Sequence, residues 1–133
     1  MKFLDIINFN SKTLAIILYK KYKSDGINFF TPDNFSQQLG YMNRPKGYVI
    51  VPHFHKKVKR EVHYTKEVLF IKSGKVRVDF YNNKKKFIKY RILNKGDIIL
   101  LADGGHGFTM LKPTEMIEVK QGPYVGDKDK IYL

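Results

Sequence analysis

Four side chains have the chemistry of metal ligands and a spacing that would let them share one ion. His53 and His55 are separated by one residue, and on a β-strand positions i and i+2 project from the same face. Glu67 begins an apolar stretch, and His106 lies in the glycine-rich stretch 103–107. Three imidazoles and one carboxylate form a borderline donor set that suits divalent Fe, Mn, Ni, Zn or Co. We therefore expect one divalent metal ion, with coordination positions left open for water or substrate.

Two further residues are candidates for acid–base catalysis. His63 has a side chain that titrates near neutral pH, so it could transfer a proton at the mouth of a pocket. Tyr124 follows Gly122-Pro123, a dipeptide that predicts a turn after a strand. Both residues also have a purely structural interpretation, as an exposed loop histidine and as a tyrosine packed at a strand end. Gln121 is a further hydrogen-bonding candidate beside this turn.

The composition is that of one soluble globular domain. The chain has 133 residues, of which 43% are hydrophobic and 28% charged. The longest aliphatic runs, 14–18 and 98–102, are too short to span a bilayer, and polar residues interrupt any signal-peptide core near the N-terminus. There is no cysteine, which excludes disulfides, thiolate zinc sites and cysteine nucleophiles. A reducing, cytoplasmic location is the expectation that fits.

The charge is strongly positive, at +13, yet its pattern argues against nucleic-acid recognition. Of the 25 basic residues 21 are lysines, whereas readers of nucleic acid depend on arginine for bidentate contacts. The lysines are scattered, with dense runs only at 56–60 and 84–86. A solvated basic surface explains most of this charge. The run 56–60 follows the paired histidines, so it could also attract a small anion such as a carboxylate or a sugar phosphate.

Short β-strands dominate the predicted structure. Residues 75–81 alternate in polarity and place three side chains on one face, namely Val76, Val78 and Phe80. Asn82-Asn83 predicts a turn, and 87–93 then returns as the second strand of a hairpin. Three side chains of that second strand share a face, namely Ile88, Tyr90 and Ile92. Further predicted strands are 48–51, 67–71, 97–101, 108–111 and 116–120.

The N-terminal third is more ambiguous. Residues 12–22 suit either a strand or a short helix, because their apolar positions fit both periods. One short strand is predicted at 27–30, followed by irregular chain up to Gly47. With seven or more short strands bounded by turns, the periodicity predicts an all-β sandwich or barrel.

At these positions the sequence resembles the cupin superfamily. The first cupin motif is a glycine, five residues, His-x-His, a short spacer, a glutamate, six residues and a glycine. Gly47 precedes His53 and His55 by that interval, and Glu67 precedes Gly74 by six intervening residues. The spacer from His55 to Glu67 has eleven residues, where the family has three or four.

The second cupin motif is also present in altered form. Gly96 is followed by five residues and then Ala102, where the family has proline. Gly104 occupies its motif position, His106 arrives one residue early, and Met110 stands where asparagine often closes the motif. The long spacer of the first motif contains Glu61 and His63, either of which could replace Glu67 as a ligand. The interval to Gly74 favours Glu67.

The resemblance implies a double-stranded β-helix, the conical jelly-roll barrel of cupins, with the metal inside. It implies a single domain over 1–133, with a motif core at 47–110, N-terminal strands in 1–46 and a C-terminal strand and tail in 111–133. It also implies a small polar or anionic ligand, possible carbohydrate chemistry of the isomerase or epimerase type, and assembly as a homodimer. The alternative function is a non-catalytic sensor or carrier. Apolar residues 3–22, outside both motifs, are the segment expected to cover a sheet edge.

Overall fold

The computed structural model describes residues 3–133, and in this range it contains ten strands and no helix. No helix in these residues could therefore cross a membrane. The chain forms two compact units, residues 3–22 with 65–133 and residues 23–64. The strands in chain order are β1 (Leu4–Phe9), β2 (Lys12–Leu18), β3 (Gly26–Phe29), β4 (Gly40–Asn43), β5 (Glu67–Ser73), β6 (Lys75–Tyr81), β7 (Phe87–Asn94), β8 (Ile98–Leu101), β9 (Gly105–Met110) and β10 (Glu115–Lys120).

Two antiparallel sheets build the first unit. The larger has five strands in the order β1-β2-β8-β5-β10, and the smaller has three in the order β7-β6-β9. Neither sheet closes into a barrel among the described strands, because β1 and β10 end one sheet and β7 and β9 end the other. In the second unit β3 and β4 pair as a two-stranded antiparallel sheet. The architecture is all-β and consistent with a sandwich.

The core of the first unit combines side chains from both of its sheets. The smaller sheet contributes four buried residues, which are Val76, Val78, Phe80 and Leu93. The larger sheet contributes eight, which are Ile7, Leu14, Ala15, Ile17, Leu69, Ile71, Ile99 and Leu101. Alternate positions along β5 and β6 face this core, as expected for strands with one buried face. The alternation predicted for 75–81 is confirmed.

Strand β2 resolves the ambiguity of the N-terminal segment. Ala15 and Ile17 belong to the core, yet Ile16 on the opposite face is also buried, as is Leu100, its partner on β8. A strand buried on both faces has a continuous apolar run in place of a strict alternation, so its pattern also fits a helix. The helical alternative for this segment is wrong.

The predicted hairpin is confirmed, with one correction. β6 and β7 pair antiparallel across the turn at Asn82-Asn83. Leu93, which pairs with Val76, is the residue of β7 in the core, whereas Tyr90 is exposed and belongs to the opposite face. Tyr90 and Ile92 share the outer face, whereas Ile88 packs against the core, so the common face predicted for these three residues is wrong.

The strand predicted at 48–51 is wrong, because residues 44–66 contain no strand. The aromatic and β-branched residues of this segment favour an extended backbone, but a strand also requires a neighbouring strand to pair with. Pro45 and Pro52 flank the segment and lack the N–H that a ladder needs, and the side chains of 44–65 are exposed. The histidine pair at 53 and 55 consequently lies on irregular chain.

The remaining predicted strands at 27–30, 67–71, 97–101, 108–111 and 116–120 are confirmed as β3, β5, β8, β9 and β10. Sequence reasoning missed β1, over which it predicts no strand, and β4, over which it predicts irregular chain. Residues 4–18 form β1 and β2 and join the larger sheet of their own chain, where β2 pairs with β8. β1 is left as one of the two edge strands of this sheet.

The turn between β5 and β6 depends on Gly74. Its φ of +95° lies in the left-handed region, and only one residue separates the two strands. A Cβ at this position would overlap the carbonyl oxygen of Pro113 and the side chain of Thr114, whose hydroxyl hydrogen-bonds Lys75. The glycine therefore allows the strand leading from Glu67 to turn tightly into the second sheet.

We expect Gly74→Ala to lower the free energy of unfolding by about 2 kcal/mol or more, since it adds backbone strain and a steric overlap. Gly107→Ala is the matched control, because its φ is not positive and the new methyl group would meet only the Tyr81 ring at ordinary contact distance. Urea unfolding followed by circular dichroism measures both. Equal losses in the two variants would contradict the role given to Gly74.

Candidate functional site

Glu67 and His106 meet although 38 residues separate them in the chain. The Nε2 atom of His106 lies 3.7 Å from Oε2 of Glu67. Their side chains are 32% and 15% exposed, so the pair is shielded but still reachable from solvent. Two of the four ligands predicted from the sequence are therefore neighbours.

Strand position explains why these two side chains face each other. Glu67 is the first residue of β5 and shares its face with Leu69 and Ile71, both in the core. His106 lies on β9 opposite Phe80, a core residue of β6. Each strand thus points its polar residue into the space between the two sheets, beyond the last apolar side chains.

Two residues of β10, Glu118 and Lys120, lie beside this pair. We call the four residues together the Glu67–His106 cluster. Lys120 pairs with Glu67 across the strands and Glu118 pairs with Leu69, so both alternate onto the inner face. Lys120 also lies 3.7 Å from Glu118. The cluster therefore joins two carboxyl groups, one imidazole and one ammonium group at one end of the unit.

The surroundings of the cluster shift the pKa values of Glu67 and His106 in the directions that favour their uncharged forms. Burial, and then the nearby Glu118 carboxylate, raise the pKa of Glu67, with Lys120 and Lys130 opposing them. Burial lowers the pKa of His106, against the opposing attraction of Glu118. At neutral pH His106 is accordingly uncharged and presents a lone pair. Such a nitrogen can accept a proton or bind a metal ion.

The C-terminal tail, residues 121–133, returns beside the cluster. The backbone N–H of Gln121 donates to the carbonyl of Lys66 at 3.0 Å, and the hydroxyl of Thr65 donates to Asp129. The side chain of Leu133 lies against Gly105, the residue before His106. The tail therefore contacts the chain just before both members of the central pair.

His53 and His55 form a second pair, within residues 23–64. Their ring centroids are 5.1 Å apart in an edge-to-face arrangement. Nδ1 of His53 lies 2.7 Å from the carbonyl oxygen of Val51, which assigns the hydrogen to Nδ1 and leaves the Nε2 lone pair for a ligand. The proximity predicted for these two imidazoles is present, although no strand carries them.

The predicted acid–base residues are more exposed than the central pair. The side chain of His63 is 75% exposed and lies 3.8 Å from Glu61. Tyr124 is 81% exposed, and its ring lies 5.8 Å from the ammonium group of Lys120. Their catalytic roles stay predictions.

The described residues do not arrange their metal-binding side chains as an assembled metal site. Within residues 3–133 no group of three or more His, Asp or Glu side chains is placed to hold an ion. The donor types of the two pairs suit a divalent ion, and the neutral form of His106 is the one that binds metal.

Glu118 and Lys120 are the functional candidates that sequence reasoning missed. The alternation of β10 carries the signal, because Met116 packs on the core and every second residue after it is polar. A strand whose inner face changes from apolar to charged side chains marks the point where it leaves the core.

No known protein family, curated protein or solved structure matches this chain.

We expect Glu118→Gln to lower the pKa values of both Glu67 and His106. Removing the neighbouring negative charge removes repulsion from ionised Glu67 and removes attraction from protonated His106. Two-dimensional NMR titration of the two side chains measures both values. Glu115→Gln, at the other end of β10, is the control and should leave both unchanged. A rise in either pKa in the Glu118 variant would contradict the cluster.

Proposed function

We propose that this chain is a small cupin that binds a divalent metal ion and a small polar or anionic ligand, and that it acts as a sugar or sugar-nucleotide isomerase or epimerase. The single observation that carries the proposal is the meeting of Glu67 and His106 between the two sheets of the first unit. These are the glutamate of the first cupin motif and the histidine of the second. Two antiparallel sheets enclosing one core are also what a double-stranded β-helix requires.

The cluster supplies the acid–base pair that such a reaction needs. Isomerisation of a hydroxy-carbonyl compound moves a proton between neighbouring carbon atoms and another between their oxygens, so a base must act at carbon while an acid serves the oxygen. Neutral His106 can accept a proton, and Glu67, with its raised pKa, can hold one above the usual range of a carboxyl group. Lys120 places a positive charge beside them that favours an anionic ligand or an enolate-like oxygen.

A divalent ion would add Lewis-acid polarisation of a substrate carbonyl. The proposed ligands are His53, His55, Glu67 and His106, whose donor types suit such an ion. Glu61 and His63 remain the alternatives to Glu67. Glu67 and His106 cannot exchange protons while they bind a metal ion, so with the ion bound the proton transfers fall to His63 and Tyr124, and without it they fall to Glu67 and His106.

One observation favours a non-catalytic sensor or carrier as the second candidate. His63 and Tyr124 are the residues expected to assist proton transfer, and both are largely exposed. Acid–base groups act best where water is excluded. A turnover assay with a panel of sugar phosphates and nucleotide sugars separates the two candidate functions. Turnover supports the enzyme, whereas binding without turnover supports the sensor or carrier. The absence of cysteine supports a cytoplasmic location for either candidate.

We expect purified protein to contain one divalent ion per chain by inductively coupled plasma mass spectrometry, and expect His106→Ala and Glu67→Gln to lose it. Loss of one of four ligands weakens a site by orders of magnitude, because water must replace the missing donor. His53→Ala should behave in the same way. His63→Ala is the control and should retain the ion.

Two results would contradict this assignment. Retention of metal by Glu67→Gln with loss in Glu61→Gln or His63→Ala would show that the ligand set is wrong. A wild-type protein that binds no added divalent ion would remove the metal from the proposal. The acid–base pair would then be tested by turnover alone.

We expect the protein to run as a dimer of twice 15.6 kDa in multi-angle light scattering at high micromolar concentration. β1 and β10 leave open edges on the larger sheet, and each carries an exposed isoleucine, Ile6 and Ile117. A lysine at the edge that pairs should shift the mass to the monomer, so Ile6→Lys and Ile117→Lys identify the edge. A wild-type monomer, or a dimer that both variants leave intact, would contradict edge pairing.

A further inference from the structure

A cavity of about 350 Å³ lies in the first unit at the end of β8 remote from the Glu67–His106 cluster. Asp97 precedes β8 and lines the cavity, whereas Glu67 pairs with Leu101 at the other end of this strand. The volume is within the range of pockets that hold small molecules. We call it the Phe3–Asp97 cavity, and its relevant lining residues are Phe3, Tyr19, Lys20, Lys21, Lys95 and Asp97.

Backbone contacts hold the cavity in shape. Asp97 is 4% exposed, and its two carboxylate oxygens accept hydrogen bonds from the backbone N–H groups of Lys20, at 2.9 Å, and Asn94, at 2.7 Å. The backbone N–H of Tyr19 donates to the carbonyl of Phe3 at 2.9 Å. These hydrogen bonds hold together the segments that form the cavity walls, and they satisfy the backbone and carboxylate groups that make them.

Gly96 brings a lysine stem against the floor of the cavity. Its φ is +90°, and an added Cβ would come within 2.8 Å of Cδ of Lys20. The aliphatic part of Lys20 therefore packs across the turn between β7 and β8. Lys20 is exposed and lines the cavity, so it contributes a positive charge there.

The charges around the cavity are unbalanced. Lys20, Lys21 and Lys95 contribute three ammonium groups, and none of them has an ion-pair partner among residues 3–133. The single carboxylate, Asp97, is buried and engaged by two backbone N–H groups. Two aromatic rings supply the apolar wall. The site therefore offers stacking surface together with unpaired positive charge.

We propose that the Phe3–Asp97 cavity binds a small phosphorylated ring compound. The planar or puckered ring of such a compound lies against Phe3 and Tyr19, since aromatic side chains bind ring faces through large apolar contacts. Its phosphate is held by the three lysines, which act as point charges and gain more from a dianion than from a carboxylate. This inference is independent of the proposed function, because the cavity shares no residue with the cluster.

Uridine 5′-monophosphate is the probe, titrated into ¹⁵N-labelled protein in buffer of about 0.15 M ionic strength to screen non-specific attraction. We expect saturable shifts of backbone amides at 19–21 and 94–97. Uridine lacks the phosphate, and inorganic phosphate lacks the ring. Each should bind at least about tenfold more weakly than the nucleotide. Shifts absent from these residues, or phosphate binding as tightly as the nucleotide, would overturn the proposal.

A pair of double variants tests the lysines. K21A/K95A should weaken the nucleotide about fivefold, because two charge contacts to the phosphate are lost while Lys20 keeps its packing on Gly96. K84A/K86A removes the same charge from exposed lysines of the β6–β7 turn and should leave the affinity unchanged within about twofold. Equal weakening in both variants would show that binding follows net charge and would overturn the site.

Discussion

Packing between the inner faces of two sheets is the constraint on which the candidate site depends. Because strand side chains alternate, burial of Leu69 and Ile71 commits Glu67 to the same face. Pairing of β9 with the core strand β6 commits His106 in the same way, opposite Phe80. The apolar core thus determines where two polar residues meet, and their shared burial then shifts the pKa values of both.

The first unit carries contrasting chemistry at the two ends of β8, which is only four residues long. Near its end at Leu101 lie the two carboxyl groups and the imidazole of the cluster. Near its start lies a cavity lined by three lysines that have no ion-pair partner among residues 3–133, and the carboxylate of Asp97, which also lines it, is satisfied by backbone N–H groups. The first unit therefore has a cluster of mixed charge at one end of β8 and a lysine-lined cavity at the other.

Much of the fold follows from local pattern. The all-β class, the hairpin of β6 and β7 and most strands are predictable, because alternation and turn residues act over a few positions. The segment 48–51 has the residue types of a strand but no partner, and pairing is a property of the whole fold. The reverse holds for β4, whose sequence is unremarkable and which exists because β3 lies beside it. The double burial of β2 likewise hides its period.

For the candidate site, the sequence alone determined the types of donor atom, the proximity of His53 to His55 and the selection of Glu67 and His106 as candidate ligands. Motif spacing is enough for this, because it reports intervals along strands and turns. Only the tertiary structure decided that Glu67 and His106 are 3.7 Å apart, that Glu118 and Lys120 join them, and that burial lowers the pKa of His106. The physical reason is that distance between strands and loss of solvent arise from packing of remote segments, which no local interval encodes.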